Sequence, residues 1–176
     1  MTGQELLERL LKSYASSFDI ERPYEVNGNL YEAHAVFDVT SAKYVLVKKA
    51  ELWRAKCFEH TFFRVFGAEM GETEVQRFRE DIVSQIEPQL VRGGEKYPVQ
   101  DHMYTYITGI FICENGVTGE ARRAVKKFRF FKNYLLSIRG YAEARILVFD
   151  LKEKKVFGNR AARELVKGYK KYRKSI

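Results

Sequence analysis

The dipeptide Asn27-Gly28 stands between Tyr24-Glu25-Val26 and a long apolar-rich segment, and it constrains the fold more than any other feature of the chain. Asn-Gly is the strongest short-range hairpin signal, because both central positions of the matching turn need a positive φ. After the turn, Tyr31, Ala33, Ala35, Phe37 and Val39 alternate with Glu32, His34 and Asp38, with Val36 among the polar set. A period of two sends successive side chains to opposite faces, so the segment is a strand with one buried side.

Around this start the remaining elements follow from periodicity and punctuation. Thr2 and Glu5 form a capping box, and Leu6, Leu7, Leu10, Leu11 and Tyr14 repeat at helical spacing. Arg22-Pro23 breaks the chain, and Tyr44 to Val47 is a short apolar run. The Trp, Phe and Val content of residues 50–66, with no helix start, predicts two strands over about 50–57 and 60–66. Trp53 should be at least partly buried there. Thr73 with Gln76 reads as a second capping box, followed by Val75, Phe78, Ile82, Val83 and Ile86, with Pro88 ending or kinking that helix. Arg92-Gly93-Gly94 to Pro98 is loop-like, and Met103 to Cys113 is a buried strand closed by Asn115-Gly116. A helix over 118–136, a strand Ala144 to Leu151 with Lys154 to Gly158 as its hairpin partner, and a basic helix Ala161 to Tyr172 complete the order. Strands segregated before alternating helices and strands predict an α+β fold rather than a doubly wound parallel sheet. With 176 residues and no linker or repeat, one domain covers the chain.

Charge is distributed unevenly. Met1 to Gly116 carries 13 Lys/Arg against 18 Asp/Glu, whereas Val117 to Ile176 carries 18 against 5. Such asymmetry suggests an anionic partner, nucleic acid above all, unless the basic part folds against the acidic part. No apolar run reaches the roughly 18 residues of a membrane span, and Glu5, Glu8 and Arg9 interrupt the first leucines as no signal peptide would. The expectation is a cytoplasmic protein with two reduced thiols, Cys57 and Cys113, no membrane association and no cofactor.

The element order resembles the core of the restriction-endonuclease-like nucleases, whose signature is an acidic residue on one strand and Glu-x-Lys on the next. Here the corresponding strands offer Glu51 and Glu59-His60-Thr61, without the lysine. A second resemblance rests on Lys48-Lys49-Ala50-Glu51-Leu52-Trp53, Asp101-His102-Met103-Tyr104-Thr105-Tyr106-Ile107-Thr108 and Val148-Phe149-Asp150-Leu151. These blocks resemble a family of uncharacterised bacterial proteins, a domain of unknown function. That resemblance implies a bacterial, cytoplasmic setting and no particular activity.

Motifs for phosphate loops, dinucleotide turns, zinc proteases and serine hydrolases are absent from the sequence, which argues against an enzyme. His34, His60 and His102 offer no zinc-site spacing. The best acidic cluster is Glu32, His34 and Asp38 on one strand's polar face, which Glu51 or Glu59 and His60 would join if the next strands pair beside it. Converging carboxylates suit Mg²⁺ and phosphodiester hydrolysis, whereas a solvated sheet face explains the same residues without chemistry. Asp101-His102 suits acid–base work or a loop-anchoring hydrogen bond. His102 and Cys113 lie roughly 33 Å apart along their strand, too far for a dyad. The basic helix is the more specific feature. Arg122, Lys126 and Arg129 recur at i, i+4 and i+7, flanked by Arg123 and Lys127, with Phe130 and Tyr134 continuing the row and Lys132, Arg139 and Arg145 beyond. Cations beside rings neutralise phosphates and stack bases, while the plainer alternative is a solvated face with Phe130 and Tyr134 in the core. Three functions stay open: a non-catalytic module for nucleic acid or another anionic partner, a metal-dependent nuclease, and a homo-oligomeric interaction domain.

Overall fold

The computed structural model describes residues 1–38 and 56–173. The run Tyr44 to Val47, Glu51, Trp53, the stretch 50–55 and Lys174 therefore lie outside the described residues. Helix α1 (Gly3–Tyr14) begins at Thr2 with both arms of the capping box closed: the Glu5 amide donates to Thr2 Oγ1 and the Thr2 amide to Glu5 Oε2. β1 (Asp19–Glu21) follows, then the hairpin β2 (Tyr24–Val26) and β3 (Asn29–Tyr31). Val26 pairs with Asn29 across a two-residue turn whose Asn27 and Gly28 sit at φ 50° and 75°. β4 (Ala33–Asp38) pairs antiparallel with β1 on one side and with β5 (Lys56–Phe66) on the other.

β5 is one continuous strand where a break between two was expected. β6 (His102–Cys113) and β8 (Tyr141–Asp150) then add in parallel, while β7 (Phe131–Asn133) and β9 (Lys155–Gly158) both pair antiparallel along the outer side of β8. The seven-stranded sheet runs β1-β4-β5-β6-β8-β7 with β9 beside β8, and the hairpin forms a second, two-stranded sheet. The fold is α+β, with a mixed sheet and helices on both faces.

The parallel pairs need helical crossovers, and α2 (Glu72–Asp81) and α3 (Gly119–Lys127) supply them. Both pack with the hairpin on one face, where Phe62, Phe78, Ile107, Phe111, Val125 and Ile146 form the main core. Phe78 seats its ring over Gly109, where a Cβ would come within 2.8 Å of it; truncating Phe78 should cost about 3–5 kcal/mol. On the opposite face α1 and α4 (Arg163–Arg173) bury the leucines of α1 against Phe63, Ile110, Leu147 and Phe149. Among the described residues no helix is long and apolar enough to cross a membrane.

Three helix boundaries differ from expectation. α2 starts at Gly71, whose amide donates to Glu74, rather than at Thr73 with Gln76. Pro88 does not end the helix. The chain widens into a π-helix over Ile82–Val91, with the Arg92 amide bonded to the Glu87 carbonyl five residues back. The widening keeps the proline ring off the carbonyl that it would strike in an α-helix. The helix expected over 118–136 stops at Lys127, because Phe128 turns to extended backbone (φ −58°, ψ 129°) and enters the core. The chain beyond it pairs with β8 as β7 and then turns through Leu135, Leu136 and Ser137, all with positive φ.

Candidate nucleic-acid interface

Among the described residues the acidic strand face does not assemble into a site. Glu32 precedes β4 and accepts the Val65 amide at 3.0 Å, which ties it to the β5 backbone. Glu59 pairs opposite Phe37 and so faces the α1 side, away from His34 and His60; there Thr108 and Thr61 donate to it and Arg145 lies 4.0 Å away. His34 and His60 share the other face, 3.1 Å apart through Nε2 and Nδ1, with His34 stacked on Phe62. One ring donates and the other accepts, so at least one of the two rings is neutral. Burial, then the neighbouring His60, pushes the His34 pKa down to about 3. Burial likewise pushes His60 down to about 4, against the pull of Asp38. A polar face taken from the alternation as solvated is thus partly buried. Among the described residues no three His, Cys, Asp or Glu side chains come close enough to hold a metal ion.

His102 anchors a loop. Its Nδ1–H donates to the Arg139 carbonyl at 2.7 Å, which leaves Nε2 to accept from Thr105 Oγ1 at 2.8 Å. Burial lowers its pKa, so the neutral tautomer fixed by these partners persists near neutral pH. Gly140 completes the anchor, since at φ 68° its missing Cβ would collide with the Met103 carbonyl.

The basic segment divides. Arg122, on the first turns of α3, bonds both Asp150 (2.9 Å) and Glu153 (3.0 Å) and lies over the Phe157 ring. The Asp150 side chain has no solvent exposure, so Arg122 is its charge partner rather than a free cation. Arg123 pairs with Glu120 on the surface. Lys132 reaches the buried Glu87, which also accepts from Arg92 and from the Tyr134 hydroxyl. Burial raises the Glu87 pKa, and those three hydrogen bonds outweigh it and hold the carboxyl below its ordinary value. Arg139 donates to the Pro98 carbonyl, and Arg145 lies over Tyr106 with its Cζ 3.1 Å from the ring centre. Tyr134 is a core ring, and Phe130 is half-buried against the same core.

Lys126, Lys127 and Arg129 remain. All three are exposed and form no ion pair among the described residues. The end of α3 at Lys127 breaks the expected helical row, so Lys132 is placed by β7, and Arg129 and Phe130 by the non-helical stretch leading into it, instead of by helix periodicity. That placement opens a cleft of about 250 Å³ between the end of β7 and the turn after β9, lined among others by Arg129, Phe130, Phe131, Glu143 and Arg160. The cleft exists because β7 pairs only as far along β8 as Glu143 and β9 only as far back as Leu147. Asn159 closes the gap between them. Its Nδ2 donates to the Ala144 and Phe128 carbonyls, and its Oδ1 accepts the Ile146 and Ala162 amides.

A family model described as a domain of unknown function (DUF8052) matches residues 2–171. The chain belongs to the DUF8052 family. No curated protein and no solved structure matches it. Its charged clusters therefore have to be judged on their own geometry. In this DUF8052 chain the sequence reading missed Phe131, Glu143, Asn159 and Arg160. Asn159 carried a usable signal, an N-cap residue ahead of the last helical segment. The others meet only through the pairing of β7 with β8, which no local pattern announces.

Proposed function

We propose that this domain is a non-catalytic module that binds nucleic acid through the surface around the end of α3 and the β7 cleft. The supporting observation is the set Lys126, Lys127, Arg129 and Arg160, four exposed cations without an ion-pair partner among the described residues, two of which line a cleft beside Phe130 and Phe131. A cation with no internal partner is available to neutralise a phosphate, and the counterions condensed on the nucleic acid are then released, which favours binding. A bacterial cytoplasm, the setting that the family resemblance implies, suits this proposal, because nucleic acid is at hand there and free cysteines stay reduced.

The test is affinity against salt. Log K should fall with log salt by about 0.7–0.9 per phosphate contacted. Replacing Lys126, Lys127 and Arg129 with Gln should flatten that slope by about two to three units while leaving the thermal midpoint nearly unchanged, since these side chains support nothing else. Absence of any binding at low salt overturns the proposal.

A further inference from the structure

The cleft has a chemistry that phosphate binding alone does not account for. A slot built only for phosphate would be lined by donors, yet Glu143 is part of its wall. Glu143 is not neutralised by its neighbours: neither Arg129 nor Arg160 forms an ion pair with it among the described residues. Asn159 has no reading capacity left, because both side-chain atoms are consumed by backbone groups. The side-chain polar groups left to meet a ligand are therefore one acceptor and two guanidinium groups.

The rings point the same way. Phe131 leaves 61% of its surface exposed, an unusual state for a phenylalanine on a paired strand. It is stacked on Tyr141, with centroids 5.3 Å apart and planes 26° from parallel, which presents its other face to solvent as the next step of a stack.

We infer that this cleft takes an unpaired nucleobase: the base stacks on Phe131, its amino-bearing edge donates to Glu143, and Arg129 and Arg160 hold the flanking phosphates. The inference rests on the nucleic-acid reading above and sharpens it to single strands. A base inside a duplex has both faces covered by its neighbours and its pairing edge occupied, so it has nothing to offer this slot. Cytosine and adenine present an exocyclic amino group to a carboxylate, whereas thymine presents carbonyl oxygens on either side of its one ring N–H. The order of preference is thus oligo(dC) and oligo(dA) over oligo(dT).

The experiment is fluorescence anisotropy at low salt with labelled oligo(dC), oligo(dA), oligo(dT) and a mixed-sequence duplex. Four proteins are compared: wild type, Phe131→Leu, Phe131→Trp and Glu143→Gln. Phe131→Leu keeps apolar bulk on an exposed position and should weaken single-strand binding roughly tenfold, with duplex affinity unchanged. Phe131→Trp should retain or strengthen single-strand binding, which excludes a folding defect at that site. Glu143→Gln should narrow the gap between oligo(dC) and oligo(dT), because an amide both donates and accepts. If wild type binds but Phe131→Leu weakens single strand and duplex equally, or weakens neither, the base slot is wrong and the surface reading stands. Equal wild-type affinity for the three oligonucleotides overturns the role of Glu143. Absence of wild-type binding to any of the probes removes both proposals together.

Discussion

The acidic residues around β4 and β5 and the basic residues between α3 and the last helical segment are comparable in the sequence, each a cluster of titratable side chains on one stretch of chain. Folding treats them oppositely. Glu32 is bonded to a backbone amide, Glu59 to two threonines, and His34 and His60 to each other, so that cluster is spent within the fold. On the basic side Arg122, Arg123 and Lys132 are likewise spent, but Lys126, Lys127, Arg129 and Arg160 are left over. The difference teaches that density of charge in a sequence measures supply, and that binding capacity is what remains after internal partners have been served.

The comparison breaks most visibly in acid. His34 and His60 hold folded pKa values of about 3 and about 4, below the ordinary 6.5. The unfolded chain therefore binds protons that the folded chain refuses. Stability is whole above about pH 6.5 and is lost as pH falls toward 4, at about 2 kcal/mol per histidine by pH 5. Urea midpoints at pH 7 and pH 5 should show a loss of that order in wild type, and a much smaller loss in His34→Gln/His60→Gln. An equal acid loss in the double variant would mean that the pair titrates freely and that the acidic face is more available than its geometry indicates.

Next in size is Asn159→Ala. It removes four hydrogen bonds at once from a buried position and leaves the Ile146 amide and the Ala144 carbonyl without that partner. A loss of about 3 kcal/mol is expected, a fall of roughly 6–12 °C in the thermal midpoint. An unchanged midpoint would show that the cleft wall is held by something else.

Smaller still is Arg122→Gln. Among the described residues Asp150 then keeps the Glu153 amide as its donor, and losing the charged hydrogen bond from Arg122 should cost about 2–3 kcal/mol. Nucleic-acid affinity should not change, because Arg122 is already engaged. A loss of affinity with full stability would erase the division between spent and spare cations.

The hairpin and the first helix were legible in the sequence because their signals are local. Asn27 and Gly28 adopt the positive φ that their turn demands, and Thr2 with Glu5 needs only three residues to cap a helix. The strands ending at Cys113 and Asp150 were legible for a related reason, since a run of apolar residues bounded by turns has few alternatives. The continuation of 118–136 as helix failed because Ala121 to Ser137 suits a helix locally, and what ends it is distant: Phe128 fills the core and β8 recruits Phe131–Asn133. The acidic cluster failed for a geometric reason, since β4 alternation fixes which residues share a face but not that the hairpin covers that face. The basic residues were legible as a group, while their partners Asp150, Glu153 and Glu87 were not, being 28 to 45 residues away.

Asn159 has a consequence beyond the cleft that it walls. At the gap between β7 and β9, the outward backbone groups of Ala144 and Ile146 would form a stretch of open strand edge, a template on which another chain could add. All four are occupied: the Ala144 amide by the Phe130 carbonyl, the Ile146 carbonyl by the Asn159 amide, and the other two by the Asn159 side chain. One amide side chain thus does what a strand would do, without filling the volume of a strand. The cleft stays empty enough for a small planar ligand while the sheet edge behind it is closed to strand addition. A chain that lost Asn159 would expose that edge inside a cleft whose rings are already in place, so its first symptom at high concentration would be self-association into ordered aggregates rather than loss of helix content.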